Sequence, residues 1–157
     1  MARYRFLTTW LLEAPRQGCW DVLEDVSRWH DWWPGVESVV QVAAGDAHRV
    51  GSVHRVRWRA RLRYSVEFEF RVEEVREPAL MSGRSSGELE GTGTWRLMES
   101  GGVTAVLYEW DVRTTRAWMN ALDPVARPLF TRNHDRVMRQ GGEGLARRLG
   151  VRLLARG

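Results

Sequence analysis

The sequence predicts an α+β domain in which a curved antiparallel sheet closes around one long C-terminal helix. Three observations predict it. Successive runs between residues 4 and 114 alternate apolar and polar residues with the period of a strand. One short helical excursion interrupts them after the first run, and a long helical pattern follows the last, an order in which a single helix must cover the inner face of the sheet. With 157 residues and no repeat, low-complexity linker or internal boundary, the chain is expected to form one domain over residues 1–157.

The first strand is expected over residues 4–12, with Tyr4, Phe6, Thr8, Trp10 and Leu12 on one face, and Ala14-Pro15 ends it. Pro15 suits a first helical turn. Cys19, Trp20, Val22, Leu23 and Val26 then recur at helical spacing, and Ser27 is placed to cap a further turn, Arg28 to Trp33, that Pro34-Gly35 terminates. Strands are expected over Val36–Ala43, Ser52–Ala60, Tyr64–Glu74, Leu80–Ser86, Glu88–Met98 and Val103–Thr114, seven in all with the first. Asp123-Pro124 reads as a cap followed by a first-turn proline. The helix is expected to run from there to about Leu149, with Val125, Leu129, Val137, Leu145 and Leu149 along one face and a bend or join at Pro128. Residues 150–157 are expected to fray.

All 24 basic residues are arginine, and the formal net charge is +4. The densest stretch, Arg55 to Arg63, alternates arginine with apolar residues and could describe a nucleic-acid surface. A turn near Leu62 gives it a simpler role. Arg57 then stands across from Glu67 and Arg55 across from Glu69 on the outside, while Val56 meets Phe68 and Trp58 meets Val66 inside. Each such charge pair contributes about 0.2–1 kcal/mol. The arginines are therefore read as half of a solvated ion-pair ladder, and no nucleic-acid partner is expected.

No apolar run reaches the ~18 residues of a membrane span, so no membrane insertion is expected. The one cysteine, Cys19, cannot form an internal disulfide and points to a reducing, cytoplasmic setting. It reads as a buried apolar residue.

Gly141, Gly142 and Gly144 stand where the interior of the long helix should be, each at a cost of up to ~1 kcal/mol relative to alanine. They permit either close packing of helix on sheet or space for a ligand.

A family resemblance enters with four groups of residues. These are Ala14-Pro15 leading to Trp20-Asp21-Val22-Leu23; Trp32-Trp33-Pro34-Gly35-Val36; Ser86-Gly87-Glu88-Leu89-Glu90-Gly91 with Trp95; and Asn133-His134-Asp135 with Val137-Met138. In that order and spacing the chain resembles the polyketide cyclase/dehydrase and lipid-transport branch of the START-like superfamily. The resemblance implies the helix-grip fold, seven antiparallel strands around the C-terminal helix with an apolar cavity between them. It does not imply one activity, because the superfamily includes lipid carriers, aromatases and cyclases, stress proteins and co-chaperones.

The residues offer little positioned chemistry. His30, His48, His54 and His134 show no metal-ligand spacing, and no phosphate loop, nucleophile elbow or second cysteine is present, so neither metal nor cofactor is expected. Strand parity aims His54, Val56, Trp58, Phe68, Phe70, Tyr108 and Trp110 inward, toward Asn133, Val137 and Gly141 on the helix. These ten are the expected ligand-binding residues, around a space more apolar than polar. Trp20 and Trp95 are expected in the core, and Trp32 and Trp33 at the mouth. Three functions stay open: binding or transport of a hydrophobic small molecule such as a lipid or polycyclic metabolite; cyclisation or dehydration of a polyketide in the same cavity; and a structural or partner-binding role without a ligand. In the second, an inward histidine would remove a proton alpha to a ketone while Tyr108 or an asparagine donates to the enolate oxygen. No residue is assigned as catalytic.

Overall fold

The computed structural model describes residues 2–59 and 65–157. Strand β1 (Arg3–Leu12) leads into α1 (Arg16–Leu23), a single 3-10 turn (Val26–Arg28) and the short α2 (Trp29–Trp32). A meander follows: β2 (Val36–Ala43), β3 (Val53–Arg59), β4 (Ser65–Arg76), β5 (Leu80–Gly87), β6 (Leu89–Ser100) and β7 (Val103–Thr114). The short α3 (Ala117–Ala121), the long α4 (Asp123–Leu149) and β8 (Leu153–Arg156) complete the chain. The strands form one antiparallel sheet in the order β2-β3-β4-β5-β6-β7-β1-β8.

Seven strands follow the expected runs, and the eighth corrects the expectation. Residues 150–157 do not simply fray: Gly150 ends α4 in the left-handed conformation, the chain reverses, and Leu153–Arg156 pairs with β1. The edge strand β1 would otherwise leave its outer backbone groups unpaired, and Thr9 and Gly157 exchange two backbone hydrogen bonds of 2.7 and 3.1 Å there.

The predicted register is the observed one. Arg55 faces Glu69 and Arg57 faces Glu67, with Val56 opposite Phe68 and Trp58 opposite Val66. Arg55 and Glu69 form an ion pair at 3.0 Å, and Arg55, Arg57 and Arg59 are exposed. The basic stretch thus lies on the outer surface as far as Arg59; Ala60, Leu62 and Tyr64, with the predicted turn, fall outside the described residues. Among the described residues no helix is long and apolar enough to cross a membrane.

Two cap assignments move. Asp123 is the first helical residue rather than the cap, with its carboxylate 3.2 Å from Arg127 one turn on. Ser27 lies inside the 3-10 turn, and its hydroxyl donates to Gln41 Oε1 at 3.4 Å. Helix α4 continues unbroken through Pro128.

The buried face of α4 keeps part of the row that periodicity selected, with Val137 and Leu145 buried and Leu129 and Leu149 half-buried. Val125 is 75% exposed; the inner face consists of Ala126, Phe130, Asn133, His134, Val137, Met138, Gly141, Gly142, Gly144, Leu145 and Ala146. Its middle is small because tryptophans from the opposite side press on it. A Cβ at Gly141 would stand 2.6 Å from Trp33 Cε2 and 2.8 Å from Trp10 Cζ2, and one at Gly142 2.9 Å from Trp10 Cδ1. A Cβ at Gly144 would meet the backbone oxygen of Trp32 at 1.9 Å. These glycines serve close packing, so the void expected beside Gly141 is filled by indole.

That packing makes a direct prediction. Gly141→Ala should lower stability by about 1–3 kcal/mol despite alanine's better helix propensity, because the rings it meets cannot retreat, and Gly141→Leu by more. Urea denaturation followed by circular dichroism measures it; an unchanged midpoint for Gly141→Leu would contradict the packing.

Candidate functional site

All ten residues expected to face inward are buried, but they do not surround one space. Trp58 on β3, Phe68 on β4 and Trp110 on β7 form one aromatic group, with ring centroids 4.7 Å apart for Trp58 and Trp110, 5.3 Å for Trp58 and Phe68, and 5.6 Å for Phe68 and Trp110. His134 joins them from α4, 5.6 Å from Trp110 and stacked on Phe6 of β1 at 3.7 Å. Tyr108 stacks on Trp95 at 4.1 Å instead. Burial pushes its phenol pKa upward, so it stays protonated. Val56 is buried on the same face of β3, and Phe70 pairs across the strands with His54.

On the helix, Asn133 is buried near the aromatic group's end of α4, while Val137 and Gly141 belong to the packed seam. The Trp33 indole N–H donates to the Val137 carbonyl at 2.7 Å, and Gly35 abuts the Val137 side chain. Trp33 is fully buried and Trp32 is 6% exposed, so neither forms the expected lip. Both are internal because Pro34-Gly35 turns the chain inward against α4 rather than out toward solvent. Trp20 and Trp95 are core residues, as expected.

A cavity lies at one end of the sheet, where α1 and the 3-10 turn cover β2 to β5. It measures about 270 Å³. Trp20, Val26, Val72, Val75 and Met81 supply apolar wall, and His54, Ser52, Gln41 and the charged Glu24, Asp25 and Arg49 make the lining about as polar as it is apolar, not more apolar as expected. Of the ten expected residues, His54 lines it. Desolvation and the nearby Arg49 charge lower the His54 pKa, with Asp25 opposing, which favours the neutral imidazole; its Nδ1 has no hydrogen-bond partner. Two polar contacts cross the mouth, Arg49 Nη1 donating to the Glu24 carbonyl at 2.7 Å and Ser27 meeting Gln41. Sequence spacing could not reveal this site, because its walls come from a helix end, a hairpin loop and four strands spread over residues 20–81.

Buried polar atoms without partners mark the interior. They include the indole nitrogens of Trp58 and Trp110 and both ring nitrogens of His134. Each such group carries a desolvation cost of ~1–3 kcal/mol unless something satisfies it. The Cys19 thiol behaves differently: burial pushes its pKa up to about 11, consistent with an apolar role. Among the described residues no cluster of three or more His, Cys, Asp or Glu could hold a metal ion.

His134 also makes stability depend on pH. Burial lowers its pKa from 6.5 to about 3 in the folded protein. Between those values the unfolded chain binds the extra proton, so stability is complete above about pH 6.5 and falls as pH drops toward 3. The expected loss from this residue near pH 4.5 is roughly 2–3 kcal/mol. Urea titrations at pH 7 and 4.5 should show a smaller acid loss in His134→Phe than in the wild type; equal losses would show that the imidazole is not desolvated.

No curated protein matches the sequence. Solved structures do resemble the fold. The Zhui aromatase/cyclase from Streptomyces sp. R1128 superposes with a TM-score of 0.77 at 19% identity, over 95% of this chain and 94% of that one. A START superfamily protein from Mycobacterium smegmatis does so with 0.74 at 14%, over 93% and 97%. A protein from Thermus thermophilus gives 0.73 at 18%, over 94% and 99%. At these identities the likeness is one of fold. Residues 5–150 match the family described as polyketide cyclase / dehydrase and lipid transport, and the chain belongs to that family.

Proposed function

We propose that this protein binds a small, largely apolar molecule in the cavity between the helical excursion and strands β2 to β5, with the ligand's polar end toward His54 and Ser52. The observation that carries this reading is the cavity itself, a space of about 270 Å³ with an indole, a thioether and three valines on its walls and a neutral imidazole among them. An apolar body gains from leaving water there. A single hydroxyl or carbonyl would satisfy His54, whose Nδ1 lacks a partner. Family membership fits the reading without choosing a ligand. Admission would require the Arg49–Glu24 and Ser27–Gln41 contacts to open.

One observation favours cyclisation as a second reading. A neutral, unpartnered imidazole can accept a proton from the carbon alpha to a ketone, leaving an enolate whose carbon attacks a second carbonyl. Tyr108 does not line the cavity, so the donor to the enolate oxygen would be Ser52 or Arg49.

Native mass spectrometry of the purified protein should show a bound small molecule or, after delipidation, uptake of anilinonaphthalene sulfonate. Val75→Phe should lower that uptake about tenfold, or ~1.4 kcal/mol, with the fold intact. A wild type that takes up no apolar probe refutes binding. Hydrogen–deuterium exchange at the central carbon of a bound β-diketone, followed by NMR, separates the readings: loss of enzyme-promoted exchange in His54→Gln supports cyclisation, and its absence in the wild type supports binding alone.

A further inference from the structure

A second cleft, of about 240 Å³, lies between α4 and the β1–β8 edge, and it shares no lining residue with the His54 cavity. Its wall includes Arg156, the last residue of β8, and Gly157 just after it, both beyond the residues 5–150 matched by the family. Its other seven lining residues lie within that match. On the helix side it is lined by two neighbouring rows, His134 with Met138 and Asp135 with Arg139, and on the sheet side by Phe6 and Thr8.

His134 is the unusual member. It is 2% exposed, and neither ring nitrogen has a hydrogen-bond partner. Asp135 Oδ1 stands 3.7 Å from Nδ1, too far for a hydrogen bond but near enough to favour the tautomer that carries its proton on Nδ1. Nε2 is then an acceptor that lacks a donor. At the rim the charges are distributed unevenly in their pairing: Arg156 is held by Glu143, whereas Arg139 is exposed and has no ion-pair partner among the described residues. Asp135 is 59% exposed at its side chain, where water screens it.

We propose that this cleft is a binding site for a one-ring hydroxyaromatic acid, whose hydroxyl donates to His134 Nε2 at the bottom and whose carboxylate meets Arg139 at the rim. The order of the two groups follows from solvation. A neutral hydroxyl suits the desolvated end, and an anion suits the wet one. Phe6 and the Met138 thioether offer the aromatic and polarisable contacts for a ring between them. The volume lies below the ~300–1,000 Å³ of drug-sized pockets and suits a single ring.

Isothermal titration with 4-hydroxybenzoate, benzoate and phenol tests the site. The wild type is expected to bind 4-hydroxybenzoate about tenfold more tightly than either of the others, each of which lacks one polar end. Arg139→Gln should erase the advantage over phenol, and His134→Phe the advantage over benzoate, with circular dichroism confirming the fold; His134→Leu replaces the latter if Phe does not fold. Ring-nitrogen NMR signals of His134 should shift on adding 4-hydroxybenzoate to the wild type. Val75→Phe, at the other cavity, should leave all three affinities unchanged. Absence of binding, or binding insensitive to both cleft substitutions, overturns the proposal. So does loss of binding in Val75→Phe alone, which would place the ligand beside His54.

Discussion

The seam between α4 and the tryptophans Trp10 and Trp33 is the contact on which the rest of the structure depends. A glycine at 141 lets two indoles reach the helix backbone, and the Trp33 N–H is tied to the Val137 carbonyl at 2.7 Å. Three glycines in a helix interior weaken it by up to ~1 kcal/mol each, a loss offset by the apolar area that the indoles bury. The close approach also fixes α2, since Trp32 and Trp33 lie at its end and Pro34-Gly35 carries the chain from there into β2.

Filling the middle of the grip displaces open space to its ends. The His54 cavity lies where α1 and the 3-10 turn cover the sheet, and the His134 cleft lies where the last strand approaches α4. Both contain an imidazole whose pKa is lowered chiefly by desolvation, so each presents a neutral ring able to give one hydrogen bond and take another. The strong charges are elsewhere. Arginine and glutamate alternate on the outer face of β3 and β4, where pairing and solvent spread the charge, and the apolar interior experiences little of it.

Much of the architecture was legible because strand parity is a local property. The alternation in residues 52–60 and 64–74 predicted both the inward set from His54 to Phe70 and the arginine–glutamate register, since one misplaced residue would have turned every charge into the core. The long helix was legible in extent and only partly in face. Periodicity seeks large apolar residues and found Val137 and Leu145, but beside them α4 presents alanine, glycine, asparagine and histidine inward where its partners are the bulky ones. Trp33 was misplaced for the same reason: adjacent tryptophans before Pro-Gly are compatible with a surface lip, and only the position of Gly141 makes room for them inside.

By itself, then, the sequence determined the order of elements, the inner and outer faces of the strands, the cross-strand charge pairing and the family. Tertiary structure alone decided which of the inward residues meet empty space, that the glycines receive tryptophan rather than ligand, and that residues 153–156 add a strand beside β1. The physical reason is one of range. Backbone periodicity and charge alternation are set between near neighbours in the chain, whereas a cavity is the difference between two surfaces, and its size changes with a single side chain on either one.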